Sequence, residues 1–203
     1  MKTRYLKIAT IIGFSLFSGF ASAQKTSKYK KKTGPELKFG ITAGAVYSFQ
    51  SGYEYSENVK GVVGVSAGAF ANYAFSDKLK LQLAALYNQY GTDFTSGSLT
   101  YKEKQTYISF PLTLKTYFTD SFYFNIGPQV NVLVSSTFDN DDINDMMQKT
   151  DFGLTGGLGF NFTENIGIDL NYYYGLSKIY TKESEIEGDI IYNAATARLF
   201  YEF

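Results

Sequence analysis

From Leu37 to the last residue, apolar and polar positions alternate with a period of two, block after block. In the first block Leu37, Phe39, Ile41, Ala43, Ala45, Tyr47 and Phe49 alternate with Lys38, Gly40, Thr42, Gly44, Val46 and Ser48. Successive side chains of a strand point to opposite sides, so each block reads as a strand with one apolar and one polar face. Seven more blocks follow the same rule, at 63–75, 79–87, 108–118, 122–134, 152–162, 166–174 and 195–203. The connections alternate in length. Ser76-Asp77-Lys78, Thr119-Asp120-Ser121 and Thr163-Glu164-Asn165 are tight polar turns, whereas polar stretches at 50–61, 91–104, 136–150 and 177–191 read as long loops. Short turns at one end, long loops at the other and an even strand count predict an all-β fold. It is an eight-stranded, antiparallel, up-and-down transmembrane β-barrel over 37–203, with both termini on the short-turn, periplasmic side.

Alternation alone also fits a soluble eight-stranded barrel, which would turn its apolar face inward. Three features point the other way. Strand glycines (40, 44, 64, 68, 127, 153, 157, 159, 167 and 175) lie on the polar face, with Gly156 the exception. A narrow lumen needs them opposite large inward residues such as Phe70, Tyr117, Tyr123, Tyr173 and Phe200. On a solvated face they would only weaken the strands. On the apolar face, rings gather at the strand ends: Phe39, Phe75, Phe118, Phe122, Phe160 and Phe162 at the turn end, Tyr47, Tyr87, Tyr172 and Tyr174 at the loop end. Aliphatic residues fill the middle, as in two aromatic girdles around a lipid-facing band. The chain also stops on an alternating apolar stripe, Leu199, Tyr201 and Phe203, a pattern that barrel assembly machinery would read on a final strand.

The N-terminal residues fit this destination. Lys2, Arg4 and Lys7 precede an apolar stretch at 8–20 and the small residues Ala21-Ser22-Ala23, the layout of a signal peptide over 1–23 with Gln24 as the mature start. The stretch is shorter than the ~20 residues of a spanning helix. A basic, aperiodic lead-in follows at 24–36, with Lys28, Lys30, Lys31 and Lys32. Three of the 19 basic residues fall in the signal, leaving 16 against 19 acidic ones, a net charge of −3 that does not suit a nucleic-acid partner. The expected partners are outer-membrane lipid, the barrel assembly machinery and a protein or ligand met at the surface loops.

The chain has no His and no Cys. That removes Ser-His-Asp, Cys-His and His-metal chemistry, and with it the disulfides an exported fold often uses. No enzyme activity and no cofactor are expected. Asp139, Asp141, Asp142 and Asp145 are the densest carboxylate cluster and the candidate site for a divalent cation, but they lack the glycine and distal glutamate of an EF-hand loop. GLTGGLG at 153–159 lacks the G-x-G-x-x-G spacing and precedes no helix, so barrel packing accounts for it. On the polar face, near the periplasmic end, lie Lys38, Lys80, Lys115, Asp169, Arg198 and Glu202. Isolated charges there would be costly, so they are expected to form a buried ion-pair network, with an ion path as the alternative.

Three stretches, YISFPLTLK at 107–115, DFGLTGGLGF at 151–160 and NYYYGLS at 171–177, resemble the PorT-like outer-membrane β-barrel family common in Bacteroidetes. The resemblance implies an outer-membrane barrel and a porin-like architecture. Ser109 stands where relatives carry an acidic residue, and Asn171 where arginine is frequent, so no lumen charge pair carries over at these positions. The function expected is a membrane-anchored scaffold with long surface loops for partner or ligand binding. The alternative is transport, as a narrow channel or a subunit of a protein export complex; fold alone does not choose between them.

Overall fold

The computed structural model describes residues 36–52, 59–96, 99–139, 141–180 and 189–203. The expected signal peptide, its cleavage after Ala23 and nearly all of the lead-in lie outside these residues. Nine strands follow in chain order: β1 (Glu36–Ser51), β2 (Val59–Ser76), β3 (Leu79–Ser96), β4 (Leu99–Tyr117), β5 (Phe122–Phe138), β6 (Asp141–Asp142), β7 (Thr150–Asn161), β8 (Ile166–Gly175) and β9 (Ile191–Glu202). β6 is a two-residue return against the outer end of β5, with Asp141 opposite Phe138. The other eight pair antiparallel with their neighbours, β5 meets β7 directly, and β9 closes on β1 from Gly40↔Glu202 to Ser51↔Ile191. Closure leaves these eight strands with no free edge.

The period of two in the sequence sets the two faces. β1 buries Thr42, Val46, Ser48 and Gln50 and exposes Leu37, Ile41 and Tyr47; β4 buries Ser109, Thr113 and Lys115 and exposes Phe110, Leu112 and Leu114. Polar side chains inside and aliphatic or aromatic ones outside suit a lipid solvent, since exposed apolar area on this scale is foreign to soluble monomers. Glycines make the interior fit. A Cβ at Gly40 would strike the Phe70 ring, one at Gly167 the Phe200 ring and one at Gly159 the Tyr123 ring. Each large inward ring occupies volume that a glycine on a nearby strand gives up.

The short turns repeat a local device. In Phe118-Thr119-Asp120-Ser121-Phe122, Thr119 Oγ1 accepts from the N–H groups of Ser121 (3.3 Å) and Phe122 (3.0 Å). In Phe162-Thr163-Glu164-Asn165-Ile166, Thr163 Oγ1 accepts likewise from Asn165 (3.2 Å) and Ile166 (3.0 Å). The threonine hydroxyl takes up backbone donors that the ladder cannot satisfy at the bend.

The opposite end departs from the sequence pattern. The stretch at 91–104, expected as a loop, is mostly strand: β3 runs to Ser96 and β4 starts at Leu99, paired as Asp93↔Lys102 and Thr95↔Thr100. Hydrophobic alternation is silent there because both faces are polar. Thr92, Glu103 and Gln105 are buried, while Lys102 and Lys104 face water. β3 and β4 have 18 and 19 residues, well beyond the roughly 9–11 that cross a membrane, so this hairpin stands clear of the lipid band. β8, at 10 residues, does not. The barrel therefore has a tall wall and a short one. β1 and β5 also run past the expected starts of the first and third loops, to Ser51 and Phe138.

Candidate functional site

The inward faces meet in a filled lumen, and its two halves are built differently. In the periplasmic half, inward positions of β4 and β8 bring Lys115 Nζ to 3.8 Å from Asp169 Oδ2. Tyr123, from β5, links the two: its hydroxyl accepts from Lys115 Nζ at 3.1 Å and donates to Asp169 Oδ1. Lys115 is only 2 % exposed. Its ammonium lies 4.5 Å from the Tyr123 ring centre, 5.3 Å from that of Phe200 and 5.8 Å from that of Phe70. A cation this deep needs both its carboxylate and the π-faces around it to offset lost hydration.

A second pair lies nearer the periplasm. Lys38 Nζ is 3.6 Å from Glu202 Oε1, and the Asn72 amide donates to Glu202 Oε2. Lys80 meets no carboxylate within 4.0 Å among the described residues; its ammonium sits 4.9 Å from the Tyr117 ring centre. Arg198 faces Asp169 across the β8–β9 pair. Yet among the described residues no carboxylate comes within 4.0 Å of its guanidinium, because Asp169 is held by Lys115 and Tyr123. The expected single network of six charges is therefore two separate pairs, with Lys80 and Arg198 outside them.

In the outer half, tyrosines replace charges. The rings of Tyr90, Tyr107 and Tyr192 form a triangle with centres 5.4, 5.5 and 6.2 Å apart. Loop residues close over it: Met147, Ile179 and Ile190 are each 1 % exposed. Their segments are laced by backbone bonds from Gln148 N–H to Ile179 O (2.8 Å) and from Ile179 N–H to Ile190 O (3.0 Å). Beside them Glu103 is buried with no cation in ion-pair reach among the described residues. Tyr180 donates to its two oxygens at 3.0 and 2.9 Å, and the Gln105 amide donates to Oε1. Tyr192 in turn donates to Gln105 Oε1 and accepts from the Gln50 amide at 2.8 Å. Asp151, also buried, accepts from Asn131 (2.9 Å), Tyr173 (2.7 Å) and Ser177 (2.7 Å).

This cover is what reading the sequence missed. Met147, Ile179 and Ile190 belong to short apolar interruptions of polar stretches, beside Met146, Tyr180 and Ile191, and Tyr192 lies one residue past the expected end of the fourth loop. An apolar side chain that interrupts a polar loop is the signal that could have revealed them.

The candidate metal cluster lies on the surface. Asp139, Asp141, Asp142 and Asp145 are all exposed, and among the described residues no three carboxylates gather closely enough to hold a cation. Asp142 Oδ1 instead accepts from the Asn144 N–H at 2.9 Å, an ordinary loop contact. On the last strand Leu199, Tyr201 and Phe203 form an outward stripe, 57, 43 and 64 % exposed. Phe203 is anchored by its N–H, which donates to Phe39 O at 2.8 Å.

Comparison with known proteins bears on the whole barrel. The solved structure of Ail, the attachment invasion locus protein of Yersinia pestis, aligns with a TM-score of 0.50 at 18 % identity, over 83 % of this chain and 99 % of that one. Neisserial surface protein A aligns with a TM-score of 0.51 at 19 % identity, over 81 % of this chain and 97 % of that one. At these identities the likeness shows the shared fold. No curated protein sequence matches the chain. The family model described as outer membrane protein beta-barrel domain matches residues 12–181. That match covers most of the chain, and with the closed ring and lipid-facing band it shows that this protein belongs to the outer membrane protein beta-barrel domain family.

Proposed function

We propose that the protein is a non-enzymatic, closed scaffold of the outer membrane, which presents its tall β3–β4 hairpin and neighbouring loops to a partner. One observation carries this reading: the lumen is filled from the Lys38–Glu202 pair to the Met147, Ile179 and Ile190 cover, while the hairpin projects beyond the lipid band. An eight-stranded barrel has an interior just wide enough for side chains to fill, and here the side chains are large. The lack of His and Cys supports the non-enzymatic part. In planar bilayers the purified protein should show no large, steady conductance. A reproducible open channel that changes size when Tyr107 or Tyr192 is truncated would overturn the scaffold reading in favour of transport.

The export route and finer family placement belong to the same proposal. The signal over 1–23 supports delivery with Gln24 as the first mature residue, which N-terminal sequencing of the purified protein would read. PorT-like membership rests on the three motifs at 107–115, 151–160 and 171–177. The exposed stripe of Leu199, Tyr201 and Phe203 supports recognition by the assembly machinery. Phe203→Asp should therefore cut the yield of folded barrel several-fold, whereas Asp141→Asn in the exposed third loop should not. Equal yields would remove the assembly reading.

A further inference from the structure

Charge and space meet in the middle of the lumen. Lys115 and Arg198 are the two cations deepest in the periplasmic half, and they share the single carboxylate of Asp169, since Glu202 is taken by Lys38. Asp151 belongs to the outer half, where the neutral donors of Asn131, Tyr173 and Ser177 hold it, and among the described residues no ion pair joins it to Arg198. Arg198 Nε is buried and has no hydrogen-bond partner among the described residues. In water that group would be solvated; inside a barrel an unsatisfied cationic donor is among the costlier arrangements a fold can keep.

Arg198 borders a cavity of about 20 Å³, which also meets Gln82, Thr113, Asn125 and Asp169. Roughly 10–15 Å³ suffices for one water-sized body, so a single small occupant fits and an organic molecule does not. Gln82, Thr113 and Asn125 can each turn an N–H or O–H donor to this space. Asp169 would repel an anion, but its charge is already met by Lys115 Nζ and the Tyr123 hydroxyl. Water in the cavity would offer Arg198 an acceptor but would leave the surplus positive charge in place.

We propose that the cavity beside Arg198 is a binding site for one small monovalent anion of halide size, held by the guanidinium and the amide and hydroxyl donors around it. The anion is structural counter-charge for the periplasmic half of the lumen, where Lys38, Lys80, Lys115 and Arg198 meet two carboxylates, Asp169 and Glu202, and the tyrosine cover above keeps it from passing through. The site thus goes beyond the scaffold reading and does not depend on it.

Bromide is the probe. Crystals of the intact barrel grown in sodium bromide should show an anomalous peak within hydrogen-bonding reach of the Arg198 guanidinium. The peak should vanish in Arg198→Gln and persist, weakened, in Arg198→Lys. Should Arg198→Gln not assemble, Thr113→Val leaves every charge in place, removes one donor and should lower the occupancy of the peak. Bromide found only against exposed lysines, an adventitious ion only, would overturn the proposal. So would a cavity peak that survives Arg198→Gln, or one that Thr113→Val leaves at full occupancy.

Discussion

Asp169 and Glu103 are both buried lumen carboxylates, yet they are kept in opposite ways. Asp169 has a buried cation, Lys115, at 3.8 Å and three aromatic rings around that cation. Glu103 has no cation in ion-pair reach among the described residues; Tyr180 and Gln105 hold it through neutral donors, under a lid of Met147, Ile179 and Ile190. The difference follows from where each half sits. The periplasmic half lies within the lipid band, where loops are scarce and the only groups available are those on strands. The outer half reaches the mouth of the barrel, where the chain can fold loops inward and cover polar groups with apolar side chains. Ion pairs hold the lower lumen, and packing holds the upper one.

The sharpest way to break that contrast is one pair of matched substitutions. Asp169→Asn removes a charge without changing shape and leaves Lys115 buried and uncompensated, which should cost about 3–5 kcal/mol. Glu103→Gln makes the same change where, among the described residues, neutral donors alone meet the carboxylate. It should stay within about 1 kcal/mol of wild type, since an amide can still accept from Tyr180. Denaturant unfolding of the two variants in the same detergent measures both. Equal costs would mean that the halves are not held by different forces.

Packing in the outer half should yield the next effect. Met147→Ala empties part of the lid and should cost about 2–3 kcal/mol, in the range of buried methionine truncations. Because the lid is above the membrane, the loss should also expose the fourth-loop backbone, read as faster amide exchange at Ile179 and Ile190. Unchanged exchange at those amides would show that the loops do not close the mouth cooperatively. The smallest effect belongs to the exposed acidic loop. Replacing Asp139, Asp141, Asp142 and Asp145 by Asn should shift stability by no more than about 0.5 kcal/mol per site. Added calcium should leave the melting temperature of wild type where it was. A calcium-dependent rise that the four substitutions abolish would reinstate the metal site.

How much of this was legible depended on whether the two faces of a strand differed. Where outward residues are Leu, Ile, Ala and Phe and inward ones are mostly Gly, Thr and Ser, the period of two gives strand, face and neighbour together, as in β1 and β7. Above the lipid band that contrast disappears. Asp93 and Lys102 face outward as Thr92 and Glu103 face inward, so sequence hydropathy reads a loop where the backbone ladder continues. Lumen charges could be placed on the inward side by parity alone. Their pairing could not, because Asp169 has Arg198 as its strand neighbour but meets Lys115 through the interior. That choice is made by side-chain reach across the barrel, which no spacing along one strand encodes.

The β3–β4 hairpin has one more consequence. Its outer part is no free-floating loop: β2 pairs with it through Val59↔Phe94 and Gly61↔Thr92, and β5 through Glu103↔Phe138 and Gln105↔Ser136. A partner that docks on Lys102, Lys104 or Asp93 therefore meets a surface already fixed in shape. Little conformational entropy is left to lose on binding, so even a small contact could hold with useful affinity, and its specificity would be set by the fixed spacing of these charges along the ridge.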